Sequence, residues 1–157
     1  MSDAGEHDEV VLRLVLDGLP TGRAMPDVLE VGCGDGAFAE RFTTAHPHVA
    51  YLATDASPAA VELTRARGVP AQLMDVGTLL AGEASYDVAV AVRVLDHLAD
   101  LDRGLGELRR VLRPGGRLVA VVEGPDDDRT EDRLESALRR HFAAVTRTGD
   151  LRVLTAS

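Results

Sequence analysis

Glu30 stands two residues ahead of three alternate glycines in the stretch VLEVGCGDG (28–36), an apolar run that ends in an acid and then in bare backbone. Backbone amides at a strand-to-helix turn can cradle a negative group, and glycines let a ligand come close. Gly32, Cys33, Gly34, Asp35, Gly36 and Ala37 satisfy the dinucleotide pattern G-x-G-x-x-G/A. Asp55, about twenty residues on at a strand end, satisfies its ribose-binding part. The pattern therefore describes nucleoside binders in general, dehydrogenases among them. A carboxylate at Glu30 would repel a pyrophosphate, whereas a ligand carrying an ammonium would favour it. The chain has no lysine, which argues against a P-loop.

His97, in VLDHL, could deprotonate an acceptor oxygen or nitrogen near neutral pH, or it could pack at the start of the next helix. Asp96 beside it either orients the ring or faces water. Cys33 has no histidine at motif spacing and reads as a small loop residue rather than a nucleophile. Asp55 doubles as a capping acid before Ser57, and Asp75 as a turn residue. His46 and His48, flanking Pro47, read as solvated loop. No cluster has metal-ligand spacing, so no metal is expected.

Strand-like runs alternate with helical ones, the pattern of a parallel α/β sheet in one domain spanning 1–157. Strands are expected at 27–32, 49–55, 69–75, 86–92 and 116–123, and two more around a Gly-Asp turn in AAVTRTGDLRVLTAS. The run YDVAVAV lacks polar alternation, as suits a central strand covered on both faces. Helices are expected over Ala37–Ala45, from the Ser57-Pro58 start to Gly68, and along Leu101, Leu105, Leu108 and Leu112, before RPGG breaks the pattern. Leu134, Leu138 and Phe142 mark a last helix. Residues 1–26 form a lead-in in which Val10, Val11, Leu14 and Val15 suggest an amphipathic helix.

At 157 residues the chain can bury a real core, and 3% aromatics mean that Leu, Val and Ala must build it. The formal charge of −9 argues against a nucleic-acid partner. Arg139, Arg140 and His141 read as cations at a helix carboxyl end. One cysteine excludes an internal disulfide, and the acidic start is unlike a secretory signal. No apolar stretch is long enough to span a bilayer, so a cytoplasmic protein without a membrane contact is expected.

Four blocks together carry a resemblance. VLEVGCGDG, ATDASPAAVELTRARG, AQLMDV and YDVAVAVRVLDHLADLDRGLGELRRVLRPGGRLVAVV resemble, in order, the motifs of the class I S-adenosylmethionine-dependent methyltransferases, covering roughly Val28 to Val122. The resemblance implies a Rossmann-like three-layer sandwich whose seven-stranded, mostly parallel sheet has one reversed edge strand, the last. It implies S-adenosylmethionine as cofactor and methyl transfer to a small-molecule acceptor. Glu30 would organise the turn, by contact with the ligand or by hydrogen bonds to loop amides. Gly32, Cys33, Gly34 and Gly36 would pass beside the methionyl portion. Asp55 would take the ribose hydroxyls and Asp75 the adenine, with Ala56, Val76 and Arg93 also counted as cofactor-binding. His97 is the one catalytic candidate. The N/D-P-P-Y/F signature of amino-group DNA and protein methylation is absent, since RVLD stands in its place. A cofactor-binding scaffold, or other chemistry on the same fold, remains the alternative. The acidic segment GPDDDRT (124–130) is too short to wall an acceptor pocket, so the N-terminal helix, a second copy of the chain or another protein is expected to complete it.

Overall fold

A computed structural model describes residues 3–122, 128–148 and 153–157. The elements are α1 (Asp3–Asp17), β1 (Asp27–Val31), α2 (Ala37–Ala45), β2 (Ala50–Asp55), α3 (Pro58–Ala66), β3 (Ala71–Leu73) and β4 (Tyr86–Val92). A 3₁₀ helix (Leu95–His97) follows, then α4 (Leu101–Val111), β5 (Leu112–Val121), α5 (Asp128–His141), β6 (Val145–Thr148) and β7 (Val153–Ala156). One seven-stranded sheet runs β3-β2-β1-β4-β5-β7-β6.

Strands β1 to β5 are parallel, and β7 is antiparallel to both neighbours. The reversed strand is therefore the last, as expected, but it is not at the edge. β6 takes the edge because VTRT is polar there, with Thr146 and Arg147 exposed, while Leu154 and Ala156 of β7 are buried. The Gly149-Asp150 turn lies outside the described residues, as do Glu123 and most of GPDDDRT.

Period-two alternation sorts the strands onto two cores. Leu29, Val31, Ala89 and Ala91 pack on the side of α4 and α5, with Leu105, Leu108, Leu134 and Leu138. Val28, Tyr51, Ala53 and Val90 pack on the side of α1, α2 and α3, with Val11, Val15, Phe42 and Val61. Glu30 shares parity with Val28, so its carboxylate is driven into the second core.

Two strand limits differ from expectation. β3 keeps only three residues, because the Asp75 carboxylate accepts the Gly77 N–H at 2.6 Å and turns the chain. β5 starts at Leu112 rather than 116, with RPGG bulged out between the pairs Tyr86↔Leu112 and Val88↔Arg117. Pro114 has no N–H for the ladder, and the bulge lets Arg113 reach Asp27 and Asp87, both at 2.9 Å. That cluster ties the amino ends of β1 and β4, opposite the end where ligands bind. Ser57 caps α3 as predicted, its hydroxyl accepting from the Ala60 N–H at 3.3 Å. Arg139 pairs with Glu135, and Arg140 and His141 both reach Asp102, so the presumed cationic end is internally neutralised. His46 is not simply solvated: its ring stacks on Phe42, centroids 5.1 Å apart. Among the described residues no helix is long and apolar enough to cross a membrane.

Candidate functional site

The strand order reverses between β1 and β4, and open α/β sheets bind ligands at the carboxyl ends beside such a switch. The glycine turn leaves β1 there. Its three glycines have different reasons to be glycine. A Cβ on Gly32 would lie 2.8 Å from Val94 Cβ, and one on Gly36 2.8 Å from Thr64 Cα. Both positions are dictated by the protein's own packing. Gly34 has φ +56° and no protein atom within 4 Å of its would-be Cβ, so it alone opens onto empty space.

Hydrogen bonds fix the turn. The Cys33 N–H donates to Thr54 O at 2.9 Å, and the Gly36 N–H to Cys33 O at 3.0 Å. Asp55 Oδ2 accepts the Gly34 N–H at 3.0 Å, and its Oδ1 accepts the Ser57 N–H at 2.9 Å. Asp55 thus joins the glycine turn to the start of α3. Each oxygen keeps a further acceptor lone pair. Cys33 is buried with its Sγ 3.2 Å from Thr64 Oγ1, and burial pushes the thiol up, away from the nucleophilic thiolate.

Glu30 is 1% exposed. The reading that loop amides hold its carboxylate is corrected, because the Cys33, Gly34 and Gly36 amides donate elsewhere and Tyr51 OH donates to Oε1 at 2.7 Å. Burial pushes the Glu30 acid up to about 7, helped by the charges of Asp55, Asp8 and Asp35 and opposed by the Tyr51 bond. A folded value above the unfolded one means that the native state holds the extra proton between roughly pH 4.5 and 7. Stability then falls as pH rises through that window, by about 3 kcal/mol from this group. Urea denaturation at pH 5 and pH 8 should show that fall in the native chain and lose most of it in Glu30→Gln. An identical pH slope in the variant would refute the assignment.

One cavity lies against the turn, and another lies between the 75–78 loop and the start of α4. The first, of ≈ 250 Å³, is lined by Asp8, Glu30, Gly32, Gly34, Asp35 and Arg93, with Cys33 at its edge. The second, of ≈ 290 Å³, is lined by Asp75, Thr78, Leu98, Asp100 and Arg103, among others. Arg103 holds its wall by donating to Gly77 O (2.8 Å) and Thr78 Oγ1 (3.0 Å). The structure therefore gathers Glu30, Gly32, Cys33, Gly34 and Arg93, and sets Asp75 on a separate lobe. Asp55 ends β2 and Ala56 follows it, and neither lines either cavity. Val76 and Gly36 are buried supports. Arg93 carries φ +59°, a left-handed turn that ends β4.

His97 is outside both lobes, 69% exposed on the 3₁₀ helix, rather than packed. Its Nε2 is 3.7 Å from Asp96 Oδ2, and the Asp96 side chain is only 5% exposed. Of Asp96's two readings, facing water is thus overturned. Sequence reasoning missed Asp8 and Arg103, which reach the site from α1 and α4; nothing local in either helix signals that placement. Among the described residues no group of three or more His, Cys, Asp or Glu is placed to hold a metal ion.

A doubly wound sheet and a glycine turn at its switch point, beside an acid-lined cavity, define the Rossmann-like nucleoside-cofactor class. A family model described as a methyltransferase domain matches residues 29–118, and the chain belongs to that family, whose methyl donor is S-adenosylmethionine. Malonyl-[acyl-carrier protein] O-methyltransferase of Paenibacillus sp. (strain JDR-2) is 33% identical over 110 residues, 64% of this chain and 40% of its own length. Demethylmenaquinone methyltransferase of Deinococcus radiodurans is 35% identical over 104 residues, 62% of this chain and 43% of its own. The DszA carbon methyltransferase structure superposes with a TM-score of 0.78 over 99% of this chain and 54% of its own, at 19% identity, a likeness of fold. The chain spans less than half the length of the curated relatives it matches.

Proposed function

We propose that the chain binds S-adenosylmethionine across both lobes and transfers its methyl group to a small-molecule acceptor. The observation that carries this is the charge pattern of the first cavity: Asp8, Glu30 and Asp35 with Arg93. Two aspartates, a glutamate whose acid burial pushes up to about 7, and one guanidinium suit a zwitterion bearing an extra positive charge and would repel a pyrophosphate. The residues also fit by shape, since Gly34 leaves the cradle open where a ligand must approach.

When bound, the cofactor supplies a methyl group on a sulfonium, open to in-line displacement. The residues chiefly position it. Arg93 takes the methionyl carboxylate, and Glu30, Asp35 and Asp8 face the ammonium. Asp55 offers its remaining lone pairs to the ribose, with Ala56 alongside. Asp75 and Val76 serve the adenine. His97, exposed on the acceptor side, is the base where the acceptor needs one. Two curated relatives are named for malonyl-[acyl-carrier protein] and demethylmenaquinone, which supports a small acceptor group, and a third is named for 18S rRNA.

Incubation with S-adenosylmethionine and a panel of acceptors should yield S-adenosylhomocysteine only when a suitable acceptor is present. His97→Ala should lower kcat and leave S-adenosylhomocysteine affinity unchanged. Binding of a nicotinamide dinucleotide in place of S-adenosylhomocysteine would overturn the reading. Asp8 supplies one wall from α1, and a second copy of the chain or another protein completes the acceptor side. Light scattering over a concentration range with cofactor should then show a mass above the monomer. A strict monomer that methylates a free small acceptor at ordinary rates would remove the need for a partner.

A further inference from the structure

We propose that a small cavity between the 3₁₀ helix and α5 is an ammonium-binding subsite anchored by Asp96, so that the acceptor is a molecule carrying a primary or secondary amine. Its role toward the acceptor rests on the methyl-transfer reading. The cavity, of ≈ 20 Å³, is lined by Leu95, Asp96, Leu101, Thr130, Arg133 and Leu134. That volume admits one water-sized head group.

Among the described residues Asp96 Oδ1 is buried without a hydrogen-bond partner. Its other oxygen, among the described residues, pairs with His97 Nε2 at 3.7 Å, beyond hydrogen-bonding distance. Buried carboxylate oxygens are ordinarily satisfied, and one left bare carries a desolvation penalty. Water could fill a lone pair but would leave the charge uncompensated. An ammonium supplies both an N–H and the opposite charge. The leucines accept the alkyl carbons next to such a head group. Arg133 lines the same cavity yet makes no ion pair with Asp96 within 4.0 Å, and as an exposed residue it can turn to solvent. The subsite is also well placed. Val94, the residue just before the 3₁₀ helix, packs against Gly32 of the cofactor turn, so an acceptor anchored here starts beside the first lobe.

Methyl NMR of the full chain, titrated with methylammonium chloride and separately with tetramethylammonium chloride, tests this. The two ions share a charge, but the second has no N–H and exceeds the cavity. Saturable shifts at Leu95, Leu101 and Leu134 with methylammonium alone are expected, with affinity falling roughly tenfold or more in Asp96→Asn. Should that variant not fold, Asp96→Ser is read in its place. No saturable response, an equal response to both ions, or an unchanged response in the variant would overturn the subsite. So would a silent native chain that responds only as Arg133→Gln, since Asp96 would then be closed by Arg133. Calorimetry with S-adenosylhomocysteine is read independently. Its failure alongside a positive methylammonium titration removes the cofactor reading and leaves an ammonium site; the reverse removes only the subsite.

Discussion

Gly34→Val is expected to abolish S-adenosylhomocysteine binding, by more than roughly a thousandfold, in a protein whose far-ultraviolet circular dichroism is unchanged. A Cβ at this position meets no packed neighbour within 4 Å among the described residues, so the fold is expected to survive the change. It would stand in the ≈ 250 Å³ cavity proposed to hold the ligand. The left-handed backbone at φ +56° adds a strain of about 1–2 kcal/mol, small beside the stability of a domain this size. Gly32→Ala and Gly36→Ala make the control, because their Cβ atoms collide with Val94 and Thr64 and should lower the melting temperature. Calorimetry showing native affinity in folded Gly34→Val would remove the cofactor from this turn.

Asp55→Ala should weaken the same ligand by roughly one to two decades. Two charge-assisted hydrogen bonds to a ribose contribute on the order of 1.5–3 kcal/mol. The structure adds a second loss, because the variant also frees the Gly34 and Ser57 amides from their shared anchor. Both amides are exposed and water can replace the carboxylate, so unfolding free energy should drop by only about 1 kcal/mol. Asp55→Asn, which keeps one acceptor oxygen, should fall between the two. An affinity unchanged in folded Asp55→Ala would show that the ribose does not rest here.

The elements that carry the site were legible where local signals agree with the tertiary fold. α2 occupies Ala37–Ala45 and β4 occupies Tyr86–Val92 as the pattern indicates, because proline, glycine and an unbroken apolar run punctuate them. β3 and the start of β5 were misjudged, since their limits depend on Asp75 turning onto Gly77 and on Arg113 reaching across to Asp27 and Asp87. The same division holds within the site. Glu30, Gly32 and Gly34 come from one sequence block, and Arg93 joins them because β4 lies beside β1 in the sheet. The Tyr51 hydroxyl on Glu30 required the register Val28↔Tyr51, which places the two side chains on one face of neighbouring strands. Asp8 required knowing where α1 crosses, and the burial of Asp96 required the packing of α5.

The glycine turn also separates two kinds of inheritance. At positions 32 and 36 a side chain is refused by Val94 and Thr64, whether or not any ligand is ever bound. At position 34 no packed neighbour among the described residues objects, only the left-handed backbone, and the main bar to a side chain is the proposed ligand. A duplicated copy that drifted away from methylation while keeping its fold should therefore shed the middle glycine first and retain the outer two. In descendants of this chain, the identity of that single residue would distinguish a working domain from a relic.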